Sequence, residues 1–83
     1  MEILVGKITH YYKGIGVAAL ELSDTLEVGD VIHIKGHTTD FEQKVESIEI
    51  NHQKVTKATS GQVIGLKVKD YVRDHDMVYK VAS

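Results

Sequence analysis

The stretch from Leu26 to Gly36 constrains the fold more than any other part of the chain. Within it, apolar Ile32 and Ile34 alternate with polar His33 and Lys35, the period of two expected of a strand with one buried face. Gly29-Asp30 marks a turn before the run and Gly36 a turn after it. A tight turn that feeds a short half-buried strand is a unit that all-β barrels repeat.

The flanking sequence extends this pattern. Ile3 to Tyr12 is rich in β-branched and aromatic residues and reads as a first strand, which Lys13-Gly14 turns back into a second, Ile15 to Leu22. A two-residue loop would set Lys7 against Leu20, so a longer loop or a bulge is expected, supplied by Gly14 or Gly16. Leu26 and Val28 are expected to plug one end of the barrel, and Val31 to Lys35 forms the third strand. From Phe41 to Ile50, Phe41, Gln43 and Val45 share one phase while Ile48 and Ile50 share the other. That change predicts a bend near Glu46-Ser47. Asn51 to Ser60 reads as a connection. Gln62 to Lys69 is the fifth strand, with Ile64, Leu66 and Val68 inward, and Met77 to Val81 closes the chain. Helix formers cluster in Ala18 to Leu22, but strand-like neighbours and closely spaced turns favour β structure. The whole predicts one all-β domain over residues 1–83, a small closed Greek-key β-barrel of about six strands, monomeric by default.

Composition narrows the function. The 83 residues carry 10 Lys and Arg against 12 Asp and Glu, and no cysteine. That balance argues against a general polyanion binder, and the missing thiols exclude disulfides, thiol catalysis and Cys-based zinc sites. Five histidines allow the surface field to change sign in mild acid. No basic leader and no long apolar run is present, so a cytoplasmic protein without membrane attachment is expected.

A family resemblance follows from these residues. Leu26-x-Val28-Gly29-Asp30-x-Ile32-x-Ile34 resembles the signature of the second, β-barrel domain of translation GTPases of the elongation factor Tu type. Gly14-Ile15-Gly16-Val17, Val45 to Ile50, and Ala58-x-x-Gly61-x-x-Ile64-Gly65-Leu66 are similar to that domain's first hairpin, fourth strand and return strand. Short translation elongation factor-like proteins made of this barrel alone are similar too. The resemblance implies a translation-linked module, binding transfer RNA, the ribosome or another protein, with neither GTP binding nor catalysis. The family usually has glycine where His75 stands, so the final turn departs from its pattern; if that turn needs positive φ, His fits it poorly.

Motifs for chemistry do not add up to an enzyme. Gly14-x-Gly16-x-x-Ala19 matches a permissive dinucleotide fingerprint but lacks the following helix and a correctly spaced acid. Gly61-x-x-x-Gly65-Leu66-Lys67 is too short for a phosphate loop and lacks the hydroxyl residue. His33, His37 and Asp40 suggest a metal set only on a helix, and here lie on a strand and loop, so solvated histidines are expected. Asp74-His75-Asp76 reads as a hydrated turn. Ser23, Ser47, Ser60 and Ser83 lack any nucleophile elbow. No catalytic residue, metal or cofactor is predicted.

The binding candidates are aromatic and basic. His10, Tyr12 and Lys13 share the first hairpin, where rings can stack on bases and the lysine can meet phosphate; Tyr11 points the other way, inward. Lys67, Lys69, Tyr71 and Arg73 form a second outward row. Weak binding of structured RNA through these residues is the expected function. The alternative is a protein-interaction barrel docking onto a partner enzyme, as similar barrels do when appended to some peptidases.

Overall fold

The computed structural model describes residues 1–82, which form ten strands and, among the described residues, no helix. They are β1 (Glu2–Tyr12), β2 (Val17–Leu22), β3 (Leu26–Glu27), β4 (Val31–Lys35), β5 (Asp40–Lys44), β6 (Ile48–Ile50), β7 (Gln53–Val55), β8 (Lys57–Ala58), β9 (Val63–Lys67) and β10 (Met77–Val81). Eight of them make one sheet in the order β5-β4-β10-β1-β2-β9-β6-β7, and β3 pairs with β8 in a separate ribbon. All pairings are antiparallel. Ser83 lies outside the described residues.

One apolar cluster fills the concave side of the sheet. Ile32, Ile34, Ile48, Ile64 and Leu66 are all buried in it, together with Ile8, Leu20, Leu26, Val45 and Val78. The alternation in β4 and β9 therefore does what the sequence pattern predicts: every second side chain leaves water, while His33, Lys35 and Lys67 stay outside. Ala18 to Leu22 lies within strand β2.

Bulges bend the long first strand so that both of its neighbours can wrap the core. The register of β1 slips between Leu4 and Gly6 against β10, and between Ile8 and His10 against β2. The first turn spans residues 13–16, and Gly16 sits at φ 68°. The longer loop and the bulge together set Lys7 opposite Glu21 rather than Leu20. At Gly6 a Cβ would lie 2.6 Å from the Glu21 carbonyl oxygen, so only glycine lets β1 and β2 approach this closely. The first and last described residues also meet: the Ala82 amide donates to the Met1 carbonyl at 2.8 Å.

The expected bend near Glu46-Ser47 divides what was read as one strand into β5 and β6. β5 pairs only with β4, whereas β6 pairs with β7 and β9. The sheet is thus not laddered into the closed six-stranded barrel expected; β5 and β7 are its edges. Between β5 and β9 one side chain bridges the gap. The Gln43 amide Nε2 donates to the Lys67 carbonyl at 2.8 Å, and its Oε1 accepts from the Lys69 amide at 2.8 Å.

Two further expectations are corrected. Asn51 to Ser60 is no plain connection, because it holds β7 and β8. Asn51 and His52, at φ 52° and 65°, make the two-residue turn with both central residues left-handed that joins tight hairpins. Its usual Asn-Gly signal is hidden by histidine in the second position. Val28 is 40% exposed and plugs nothing, while Leu26 is fully buried. The last turn does place His75 at φ 75°, where its amide donates to the Ile8 carbonyl at 2.8 Å.

Candidate functional site

On the outer face of the β2-β9-β6 segment, Ala19 and Gly65 are small. Ala19 pairs with Gly65, and Gly65 pairs on its other side with Glu49, so one row across three strands offers almost no side-chain relief except a carboxylate. The result is an open groove of about 580 Å³, bordered by Tyr12 and Ile15 of the first turn and by Val63. A smaller recess shares Ile15, Glu49 and Gly65 with it and extends to Lys67. Tyr12 is 50% exposed, Ile15 70% and Val63 54%. Apolar groups gathered in this way are a docking signal, whereas scattered ones are not.

The candidate residues fall in two places. His10 and Tyr12 share one face, with ring centroids 4.4 Å apart in an edge-on contact, so His10 braces the ring that borders the groove. Lys13 is exposed in the turn. Tyr11 packs against the core and meets the ring of Tyr71 at 6.0 Å and 88°, a contact that brings the first hairpin beside the loop after β9. Tyr71 is otherwise 67% exposed. Lys67 and Lys69 point outward, the latter with its Nζ 6.0 Å from the centroid of Phe41. Arg73 is exposed, and its backbone amide donates to the buried carboxylate of Asp76 at 2.8 Å. Sequence reasoning missed Val63, Gly65 and Glu49 as site residues, because their proximity depends on the β2-β9-β6 order rather than on spacing along the chain.

A second cluster lies on the outer face of β4. His33 contacts Glu2 of β1 through Nδ1 at 2.7 Å and Asp40 of β5 through Nε2 at 2.5 Å. The hydrogen bonds to Asp40 and then to Glu2 raise the pKa of the imidazole above its ordinary value. The same bond to His33 holds the Asp40 carboxyl below its own. Glu2, His33 and Glu42 each offer a possible ligand atom within 4.8 Å of the others. Both ring nitrogens already face carboxylates, so the arrangement is that of an imidazolium held between two anions. Of the residues weighed as a metal set, His33 and Asp40 meet, His37 is exposed outside the cluster, and the other carboxylates near His33 are Glu2 and Glu42. The pairing of His33 with Glu42 was not legible without the register of the β4-β5 hairpin.

The sequence and the fold both have counterparts among known proteins. The chain is 40% identical over 79 residues to an uncharacterized protease of Methanocaldococcus jannaschii, which covers 94% of this chain and 19% of that protein. It is 46% identical over 81 residues to a collagenase of Porphyromonas gingivalis, covering 95% of this chain and 20% of the collagenase. The chain spans about a fifth of the length of these curated relatives. Among solved structures, it superposes on the C-terminal domain of a Geobacillus thermoleovorans protein assigned to the U32 peptidases, with a TM-score of 0.90 at 22% identity, over 96% of this chain and 93% of that one. The selenomethionine variant of that domain gives 0.86 at 22% identity, over 90% and 95%. The likeness to these structures establishes the fold. No family model matches the chain.

These relatives overturn the kinship with translation factors, and with it the translation-linked, RNA-binding function expected from that kinship. The physical reason lies in what the quoted motif encodes. Gly29 takes φ 100°, and the Asp30 carboxylate accepts the Glu27 amide at 2.9 Å, so Leu26 to Ile34 specifies a turn and an entering strand. Any small β-domain that needs this local geometry can carry the motif, whatever it binds. No helix among the described residues is long and apolar enough to cross a membrane.

Proposed function

We propose that the chain is a non-catalytic polypeptide-binding module that serves proteolysis, holding protein chains for a peptidase rather than cutting them. The observation that carries this reading is the open groove on β2, β9 and β6, with exposed Tyr12, Ile15 and Val63 around a floor of Ala19 and Gly65. The protease and collagenase names of the relatives support the setting. A shallow surface with one carboxylate at its centre suits holding a chain better than activating water against it. We further read the sheet as a barrel closed in effect by Gln43, whose amide substitutes for a missing strand pairing and keeps β9 stiff beneath the groove.

Capture on immobilised gelatin and on unfolded casein tests the proposal, with transfer RNA as the contrast. Retention on either protein, and none on RNA in moderate salt, is expected. Failure to retain either protein even in low salt would remove the reading.

A further inference from the structure

Gly65 has no need to be glycine for the sake of its own strand. Its backbone is not left-handed, and a Cβ there would meet Val17 Cγ1 at 3.6 Å and Glu49 Cβ at 3.8 Å, ordinary contact distances. Gly6 differs sharply, since a side chain there would strike the Glu21 backbone. Glycine inside a strand weakens it unless something approaches closely from outside. Here the approach is open: Ala19 lies on one side of Gly65 and Glu49 on the other.

We propose that the groove takes an extended polypeptide segment carrying one basic side chain, its backbone passing over Gly65 and its cation meeting Glu49. This deepens, and rests on, the polypeptide-binding reading above. The charges select the occupant. Lys54 stands opposite Glu49 on β7, yet among the described residues Glu49 forms no ion pair, and a carboxylate lining the groove repels phosphates and attracts Lys or Arg. Lys67 at the end of the adjoining recess opposes a second basic group and favours an acidic one there. Tyr12, braced by His10, and Ile15 offer apolar surface for a neighbouring aliphatic side chain. RNA, whose phosphates repeat along its length, meets repulsion from Glu49 in this groove.

The test uses amide-resolved NMR on the whole chain with two blocked pentapeptides, Gly-Leu-Gly-Lys-Gly and its counterpart with Glu in place of Lys. The Lys peptide is expected to shift the amides of Ala19, Glu49 and Gly65. The Glu peptide is expected to bind about threefold more weakly, within the range that one exposed charge pair carries. Glu49→Gln removes that preference. Gly65→Leu fills the floor and abolishes binding, while Gly65→Ala serves as the check that a side chain at this position leaves the fold intact. Equal binding of both peptides, shifts confined to other faces, or undiminished binding by Gly65→Leu would overturn the assignment. If Gly65→Leu still captures gelatin or casein as the parent does, the groove is wrong and polypeptide binding stands. If the parent captures neither and binds neither peptide, both readings fall.

Discussion

Replacing Gln43 with alanine removes the side chain whose hydrogen bonds join the β5 edge to β9. Two hydrogen bonds of 2.8 Å are lost, to the Lys67 carbonyl and from the Lys69 amide. Each is worth about 0.5–1.5 kcal/mol net, so the pair contributes about 1–3 kcal/mol. The middle of that range, about 2 kcal/mol, is the central expectation. For a domain of this size that lowers the melting temperature by about 8–16 °C. Thermal unfolding followed by circular dichroism reads the total, and hydrogen exchange at the Lys69 amide reads the seam itself. Gln43→Glu separates the two bonds: its carboxylate still accepts from the Lys69 amide but has no proton for the Lys67 carbonyl and faces it oxygen to oxygen, so this variant too should be less stable than the parent at neutral pH. A Gln43→Ala protein within about 0.5 kcal/mol of the parent, the range of an ordinary surface change, with unchanged protection at Lys69, would refute the reasoning.

Three other perturbations address separate features. His75→Gly relieves a left-handed residue whose amide donates to the Ile8 carbonyl; a gain of about 0.5–1 kcal/mol in urea unfolding is expected after the entropic cost of glycine. Gly6→Ala forces a Cβ to within 2.6 Å of the Glu21 backbone oxygen, so a loss of about 1–3 kcal/mol should appear in the same assay. His33 binds its proton more tightly when folded, so its contribution is complete below the unfolded value near 6.5 and is lost as pH rises through the higher folded value. Asp40 behaves oppositely, contributing above about 3.9 and losing that contribution as pH falls through its depressed folded value. The stability gap between the parent and His33→Gln should therefore be widest between about pH 4 and pH 6.5 and shrink towards pH 9; a gap independent of pH would contradict the clamp.

What the sequence disclosed was local. Ile32 and Ile34 announced a half-buried strand because a strand's period is written in consecutive residues, and the change of phase between Val45 and Ile48 announced the bend for the same reason. The opposing directions of Tyr11 and Tyr12 were legible on that basis as well. Gln43 was placed in phase with Phe41, yet its partners are Lys67 and Lys69, and no alternation reveals a bond across 24 residues. Gly65 was visible as a glycine, but its meaning comes from Ala19 and Glu49 on neighbouring strands. Asn51-His52 escaped because the turn uses an uncommon second residue. The motif from Leu26 to Ile34 misled about kinship since it records backbone geometry, which unrelated functions share.

The meeting of Met1 with Ala82 has a practical consequence for engineering. Entry and exit sit about one strand spacing apart, roughly 5 Å, so the module can be grafted into a surface loop of a carrier protein with little rearrangement of the host. Linkers of a few flexible residues would suffice on each side, and the graft would leave Tyr12, Glu49 and Gly65 in their native setting.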